Sequence, residues 1–206
     1  MLKNIFGAKA SQRKDDQTII VVSGLPRSGT SMMMKMLAEG GIPILTDAIR
    51  TADNDNPNGY YEFELVKKLP EGQNQWLADA NHKAVKIISA LLEHLPAGYR
   101  YKIIFMEREP REILASQQKM LANRNEKSEV GDADMQEQFQ KHLNAIKYWL
   151  ARQPNMDVMY VDYNKMMAGP EHYCQAVADF LAIPVDVSKM LAVPNAGLYR
   201  NRAAKS

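Results

Sequence analysis

Apolar residues along the chain fall into short unbroken runs separated by longer stretches of helical period. Residues 18–23 (TIIVVS) form a β-branched run with no polar alternation, the pattern of a strand covered on both faces of a parallel sheet. Runs of the same kind recur at 84–88, 101–106 and 156–161. Between them the apolar positions return every three or four residues, which predicts helices over 30–39, 110–123, 135–152 and 170–181. Pro110 and Pro170 open two of these helices, where a missing N–H costs nothing. Strand alternating with helix predicts an α/β fold, a mostly parallel sheet of about four or five strands sandwiched between helical layers.

Three stretches carry no such period: 46–59 (TDAIRTADNDNPNG), 123–134 (NRNEKSEVGDAD) and everything after Pro194. Connections of that length in a compact domain are either functional or disordered, and in parallel sheets the loops at the carboxyl ends of strands carry ligands. Residues 1–17 turn polar and charged after a short apolar patch and read as a flexible tail, leaving 18–206 as one domain, a comfortable size for a single core.

Composition narrows the function by exclusion. The chain has 206 residues, 46% hydrophobic and 24% charged, and no apolar stretch approaches the roughly 20 residues of a membrane span. A formal charge of +2 is too small to announce nucleic acid as partner, so any anion binding must be local. The single cysteine, Cys174, excludes an intramolecular disulfide and a cysteine-rich zinc site and fits a reducing, cytoplasmic setting; its place in a helical pattern reads as core. DNDNPNG has the outline of a calcium loop, but proline takes a ligand position and Gly59 comes one residue late, so no metal is expected.

The chemistry concentrates in SGLPRSGTS, residues 23–31, directly after the first strand and before the first helix. Gly24 and Gly29 stand five apart, letting the backbone turn so that amides converge on an anion, while the first helical turn adds partial positive charge. This gives the sandwich a phosphate-binding loop. Thr30 stands where a nucleotide-hydrolysing loop has lysine, and the cation is instead Arg27, inside the loop.

GLPRSGTSMMMKML resembles the loop of the PAPS-dependent sulfotransferases, above all the bacterial branch with PRSGT followed by serine or threonine. The resemblance implies that Pro26, Arg27, Ser28, Gly29, Thr30 and Ser31 grip the 5′-phosphosulfate of 3′-phosphoadenylyl sulfate (PAPS). It also implies a second signature, an arginine ending a strand and a serine eight residues later, both on the donor's 3′-phosphate. YKIIFM followed by EREPREILAS supplies Arg108 and Ser116 at that spacing. The plainer alternative is that Arg108 and Arg111 pair with Glu109 and Glu112 on a solvated helix start, with Ser116 incidental. KAVKIISALLEHLP is similar to the family's lysine-bearing strand, CQAVADFLAIP to its penultimate helix, and GLYRNR falls where relatives carry a basic loop, which gives Arg200 a donor role.

Sulfuryl transfer builds negative charge on the bridging oxygen that leaves, so positioned cations and amides are the expected catalysts. Arg27 is permanently charged and suits that electrostatic part; Lys86, isolated within AVKII, matches the family's lysine as a second cation. The acceptor must also lose a proton. Many relatives use a histidine two residues after the lysine, but Ile88 stands there. Other branches use a glutamate a few dozen residues past the loop, and NGYYEFE offers Glu62 and Glu64, with Glu62 the choice; were the segment after Gly59 helical, Glu62 and Tyr61 would face the cleft while Phe63 packs inward. His82, His94, His142 and His172 read as structural or solvated, and the stripe of Met32, Met33, Met34 and Met36 as core. The expected activity is transfer of a sulfuryl group from PAPS, leaving the bisphosphate PAP, to a small-molecule or glycan hydroxyl or amine. The alternatives are a silent PAP- or PAPS-binding protein and an atypical small kinase that draws its lysine from elsewhere.

Overall fold

The computed structural model describes residues 17–47, 59–123 and 131–194. Most of the expected N-terminal tail, most of two of the irregular stretches, and the C-terminal segment with Arg200 lie outside the described residues. Five strands run β1 (Thr18–Gly24), β2 (Ile44–Leu45), β3 (Ala84–Lys86), β4 (Arg100–Glu107) and β5 (Met156–Asp162). The helices are α1 (Thr30–Glu39), α2 (Pro110–Asn123), α3 (Asp132–Leu150), α4 (Tyr163–Ala168), α5 (Pro170–Leu181) and α6 (Val187–Leu191). Three 3₁₀ turns, Glu64–Glu71, Gln75–Asp79 and Ser89–His94, lie between β2 and β4.

All strand pairs are parallel, in the order β2-β3-β1-β4-β5. β1 pairs with β4 over seven residues, from Thr18 opposite Arg100 to Gly24 opposite Met106, and with β3 over three, from Ile20 opposite Ala84 to Val22 opposite Lys86. The chain goes first to one side of β1 and then crosses to the other. The carboxyl end of β1 is therefore the switch point at which such sheets open a ligand crevice.

The β-branched run works because both of its faces are covered. Ile20, Val22, Ile104 and Met106 pack beneath α1, α4, α5 and α6, together with the methionine stripe and Cys174. Ile19, Val21, Val85, Ile103 and Phe105 pack on the opposite face against the 3₁₀ turns and α3. Side chains of a strand alternate between faces, so an unbroken apolar run needs two cores, and the sheet has them.

The four predicted strands are present, and β2 adds an unpredicted fifth of two residues, too short to carry a pattern. α1, α2 and α5 match their expected spans, while α3 begins three residues earlier than expected, at Asp132, and ends at Leu150. α4 and α6 were not expected. Each is short and is opened by an aspartate whose carboxylate accepts the amide three residues on: Asp162 from Lys165 at 3.0 Å and Asp186 from Lys189 at 3.1 Å. Segment 59–63 is not helical; the 3₁₀ turn starts only at Glu64, and Tyr61 sits at a left-handed φ of 49°.

Candidate active site

β1 delivers the chain into the loop, and two glycines decide its shape. Gly24 has φ 144°, and a Cβ there would meet the Met106 carbonyl oxygen and Ser28 Oγ at 2.5 Å each. Gly29 has φ 102°, and its Cβ would strike the Tyr163 ring at 2.5 Å. Neither position has room for a side chain, so the loop lies flat against β4 on one side and α4 on the other. Arg27 also holds a left-handed φ of 70°, unfavourable for a branched-out side chain and typical of a tight functional turn.

Within the loop the residues divide their tasks. Ser28 is fully buried: its amide donates to the Leu25 carbonyl at 3.2 Å, and its hydroxyl lies under Gly24 without a hydrogen-bond partner. It shapes the turn from beneath. Pro26 is exposed at the rim, Thr30 opens α1, and Ser31 Oγ donates to the Tyr60 carbonyl at 3.5 Å. The first α-helical bond runs from Met33 N–H to the Gly29 carbonyl, so the preceding amides have no intrahelical acceptor.

The second motif meets the first. Arg27 Nε donates to Ser116 Oγ at 3.0 Å across 89 residues of sequence, and Arg108 Nη1 donates to the Arg27 carbonyl at 3.2 Å. Arg108 comes from the end of β4 and Ser116 from the second turn of α2, which is what a strand–helix connection with an eight-residue spacing allows. The pairing of Arg108 with Glu112 does occur, at 3.0 Å, but not on a solvated surface: their side chains are 8% and 3% exposed, and Ser116 is 4% exposed. A buried carboxylate needs such a cation, so Glu112 fixes where the guanidinium sits.

Tyr163 is the member of this cluster that the sequence reading missed. Its ring packs on Gly29 and lies under the Arg108 guanidinium, 4.5 Å from its centroid. Burial pushes its hydroxyl up, Arg108 and Arg27 draw it down, and Glu112 adds to the rise. The signal was present in Asp162, a helix-capping residue directly before it.

On the other flank of β1, Lys86 ends β3 and donates from Nζ to the Tyr60 carbonyl, the same oxygen that Ser31 addresses. Segment 59–63 thus crosses the start of α1. Its side chains do not distribute as expected. Phe63 packs inward edge-on to Trp76, with ring centroids 5.3 Å apart. Tyr61, however, packs against the α1 core, and its hydroxyl is raised by burial and then by Glu39, at the far end of α1 about 14 Å from Thr30. The Glu62 carbonyl accepts from Thr46 Oγ1 at 2.9 Å and from the Asp47 amide at 3.2 Å. Exposed Lys67 has its pKa raised, first by its hydrogen bond to Glu64 and then by the charges of Glu64, Glu62 and Asp47, so the Glu62 carboxylate belongs to an acidic rim. Ile88 is 42% exposed.

Among the described residues no group of histidine, cysteine and carboxylate side chains could hold a metal ion, and no helix is long and apolar enough to cross a membrane. Cys174 is fully buried in the core, which raises its thiol pKa to about 11.

The family model described as "Sulfotransferase family" matches residues 57–187, more than half of the chain. That span holds Glu62, Lys86, Arg108 and Ser116 but not the glycine loop. A sequence search of curated proteins finds no match. Solved structures with the same fold include mouse sulfotransferase SULT7A1 complexed with PAP (21% identity over 94% of this chain and 68% of that one, TM-score 0.56). Sulfotransferase STF9 from Mycobacterium avium matches at 13% identity over 90% of this chain and 69% of that one, with a TM-score of 0.54. STF1 from Mycobacterium tuberculosis H37Rv matches at 15% identity over 88% and 71%, with a TM-score of 0.52. At these identities the structural likeness speaks for the fold, and the family match carries the assignment: the chain belongs to the sulfotransferase family.

Proposed function

We propose that the protein transfers a sulfuryl group from PAPS to a hydroxyl or amine of a small-molecule or glycan acceptor. The observation that carries this reading is the hydrogen bond from Arg27 to Ser116, with Arg108 on the Arg27 carbonyl. Two motifs far apart in sequence supply two guanidiniums, a hydroxyl and helix-start amides at one point of the sheet's carboxyl edge. That donor set suits a ligand with two separated anionic groups.

In this reading Arg27 and the amides of Gly29 to Ser31 hold the phosphosulfate, with Pro26 and Ser28 keeping the turn in shape. Arg108 and Ser116 hold the 3′-phosphate, with Arg200 from the C-terminal segment closing over it. The bond between sulfur and the bridging phosphate oxygen breaks as the acceptor attacks, and its electron pair stays on that oxygen. Arg27 and Lys86 stabilise the charge growing there, Lys86 exchanging its Tyr60 carbonyl for the reacting group. Glu62, whose carboxylate sits with Asp47 and Glu64 near Lys67, is the candidate that the sequence offers on this rim for the acceptor's proton. A terminal sulfuryl carries less charge than a terminal phosphate, so the reading needs no metal. The buried single thiol accords with a cytoplasmic setting.

Thermal stabilisation tests the donor half. PAP should raise the melting temperature in the absence of magnesium and ATP–Mg should not, because only a ligand of the native state shifts the transition. The reverse result would favour a kinase. Release of PAP from PAPS during a screen of hydroxylated and aminated metabolites tests the transfer itself; stabilisation by PAP without any release would mark a binder that does no chemistry. Removing the residues after Pro194 should weaken PAP binding in calorimetry, and an unchanged affinity would take Arg200 out of the site.

A further inference from the structure

For the acceptor's proton the site as described offers one carboxylate, Glu62, on its acidic rim. Ile88 has no basic atom, and the Glu62 carboxylate sits with Asp47 and Glu64 around exposed Lys67. The structure supplies a basic group from another element. Ser89, three residues past Lys86 and only 1% exposed, has its hydroxyl 2.8 Å from His142 Nε2 on α3. The pair joins the turn after β3 to a helix that begins more than forty residues later in the chain.

Its height above the sheet follows from topology. α3 leads into β5, which runs parallel to β4, so the helix descends from the carboxyl edge toward the amino edge. Lys147 on α3 still reaches Glu107, the last residue of β4. His142 lies five residues nearer the helix start, about 7.5 Å further up the axis, which puts it at the ligand-bearing edge. Three residues of chain reach at most about 11 Å, so Ser89, and with it the imidazole, stays on the Lys86 flank of the sheet. On α3, Leu143 and Ile146 pack on the core beside it, which holds this face of the helix against the sheet.

We propose that His142, oriented by Ser89, takes the proton of the acceptor; this rests on the sulfotransferase reading. Nε2–H donates to Ser89 Oγ, leaving the lone pair on Nδ1. The acceptor's O–H bond breaks with its proton passing to Nδ1, and its electron pair forms the new bond to sulfur. The old bond to the phosphate oxygen breaks in the same step, so PAP departs with the electrons. A serine–histidine contact thereby does what the family's histidine would do from the position of Ile88.

The test uses the full chain with PAPS, bulk water as one acceptor and any acceptor found by screening as another. His142→Gln keeps a hydrogen bond to Ser89 and removes the base. PAP release should fall at least about a hundredfold, with the KM for PAPS and the stabilisation by PAP unchanged. Free imidazole should restore turnover to His142→Gly, and Ser89→Ala should lower it about tenfold, as loss of one orienting hydrogen bond would. Wild-type turnover in His142→Gln, or no rescue by imidazole, overturns the assignment. So does loss of PAP stabilisation in His142→Gln, which would make the pair a strut between α3 and the turn. Failure of PAP to stabilise the unmutated protein would strike the sulfotransferase reading itself.

Discussion

The two flanks of β1 are built differently. Toward β4 the pairing runs seven residues, and the groups at its end close a circuit in which Arg27 meets Ser116, Arg108 meets the Arg27 carbonyl, and Glu112 and Tyr163 hold Arg108 from behind. Toward β3 the pairing runs only three residues. Beyond β3 that flank consists of the two-residue β2, 3₁₀ turns and a segment tied to the start of α1 through the Tyr60 carbonyl. A nucleotide donor is the same molecule in every turnover and rewards a fixed cradle. An acceptor site must fit a particular substrate, and short elements on a shared scaffold are easier to reshape.

Breaking the first flank should cost most. Arg108→Ala leaves the Glu112 carboxylate buried without its cation and should destabilise the fold by about 3–5 kcal/mol in chemical denaturation, besides weakening PAP binding at least about a hundredfold. Full stability in that variant would mean that Glu112 does not depend on Arg108. Arg27→Ala should lower turnover about 10²–10³-fold while PAP affinity changes less, since its charge is used most as the bridging oxygen becomes anionic. The opposite split would show that Arg27 and Arg108 have exchanged roles.

Effects should shrink on crossing to the second flank. Lys86→Ala should reduce turnover about ten- to a hundredfold with PAP binding intact by calorimetry, as its proposed role at the reacting group implies. Equal loss of PAP affinity would move Lys86 into the donor site. Back at the loop, the smallest effect is expected from Gly29→Ala, whose Cβ would meet Tyr163 at positive φ, costing roughly 1–2 kcal/mol, or a melting-temperature drop of about 2–8 °C for a chain of this size. No shift would mean that Tyr163 can give way freely.

The same contrast governs what the sequence made legible. The β4 flank was readable because its residues are tied to long elements: SGLPRSGT follows a strand and opens a helix, and Arg108 and Ser116 bracket a strand end and a helix face at fixed spacing. Tyr163 escaped because α4 is six residues long and has no room for a period; only the capping Asp162 announced it. On the β3 flank a helix was considered after Gly59, but Tyr61 at positive φ and the hydrogen bonds on the Glu62 carbonyl hold the chain in another path. Those bonds come from Thr46 and Asp47, a contact no local pattern encodes. His142 looked like one surface histidine among four because its partner, Ser89, is 53 residues away.

Calorimetric comparison of PAP with adenosine 5′-monophosphate, which lacks the 3′-phosphate, tests the central claim that one cleft grips a nucleotide at both ends. PAP should bind at least about tenfold more tightly, as loss of a charge-assisted contact implies, and Arg108→Lys should erase most of the difference. Equal affinity for the two nucleotides, or binding of neither, would contradict the claim.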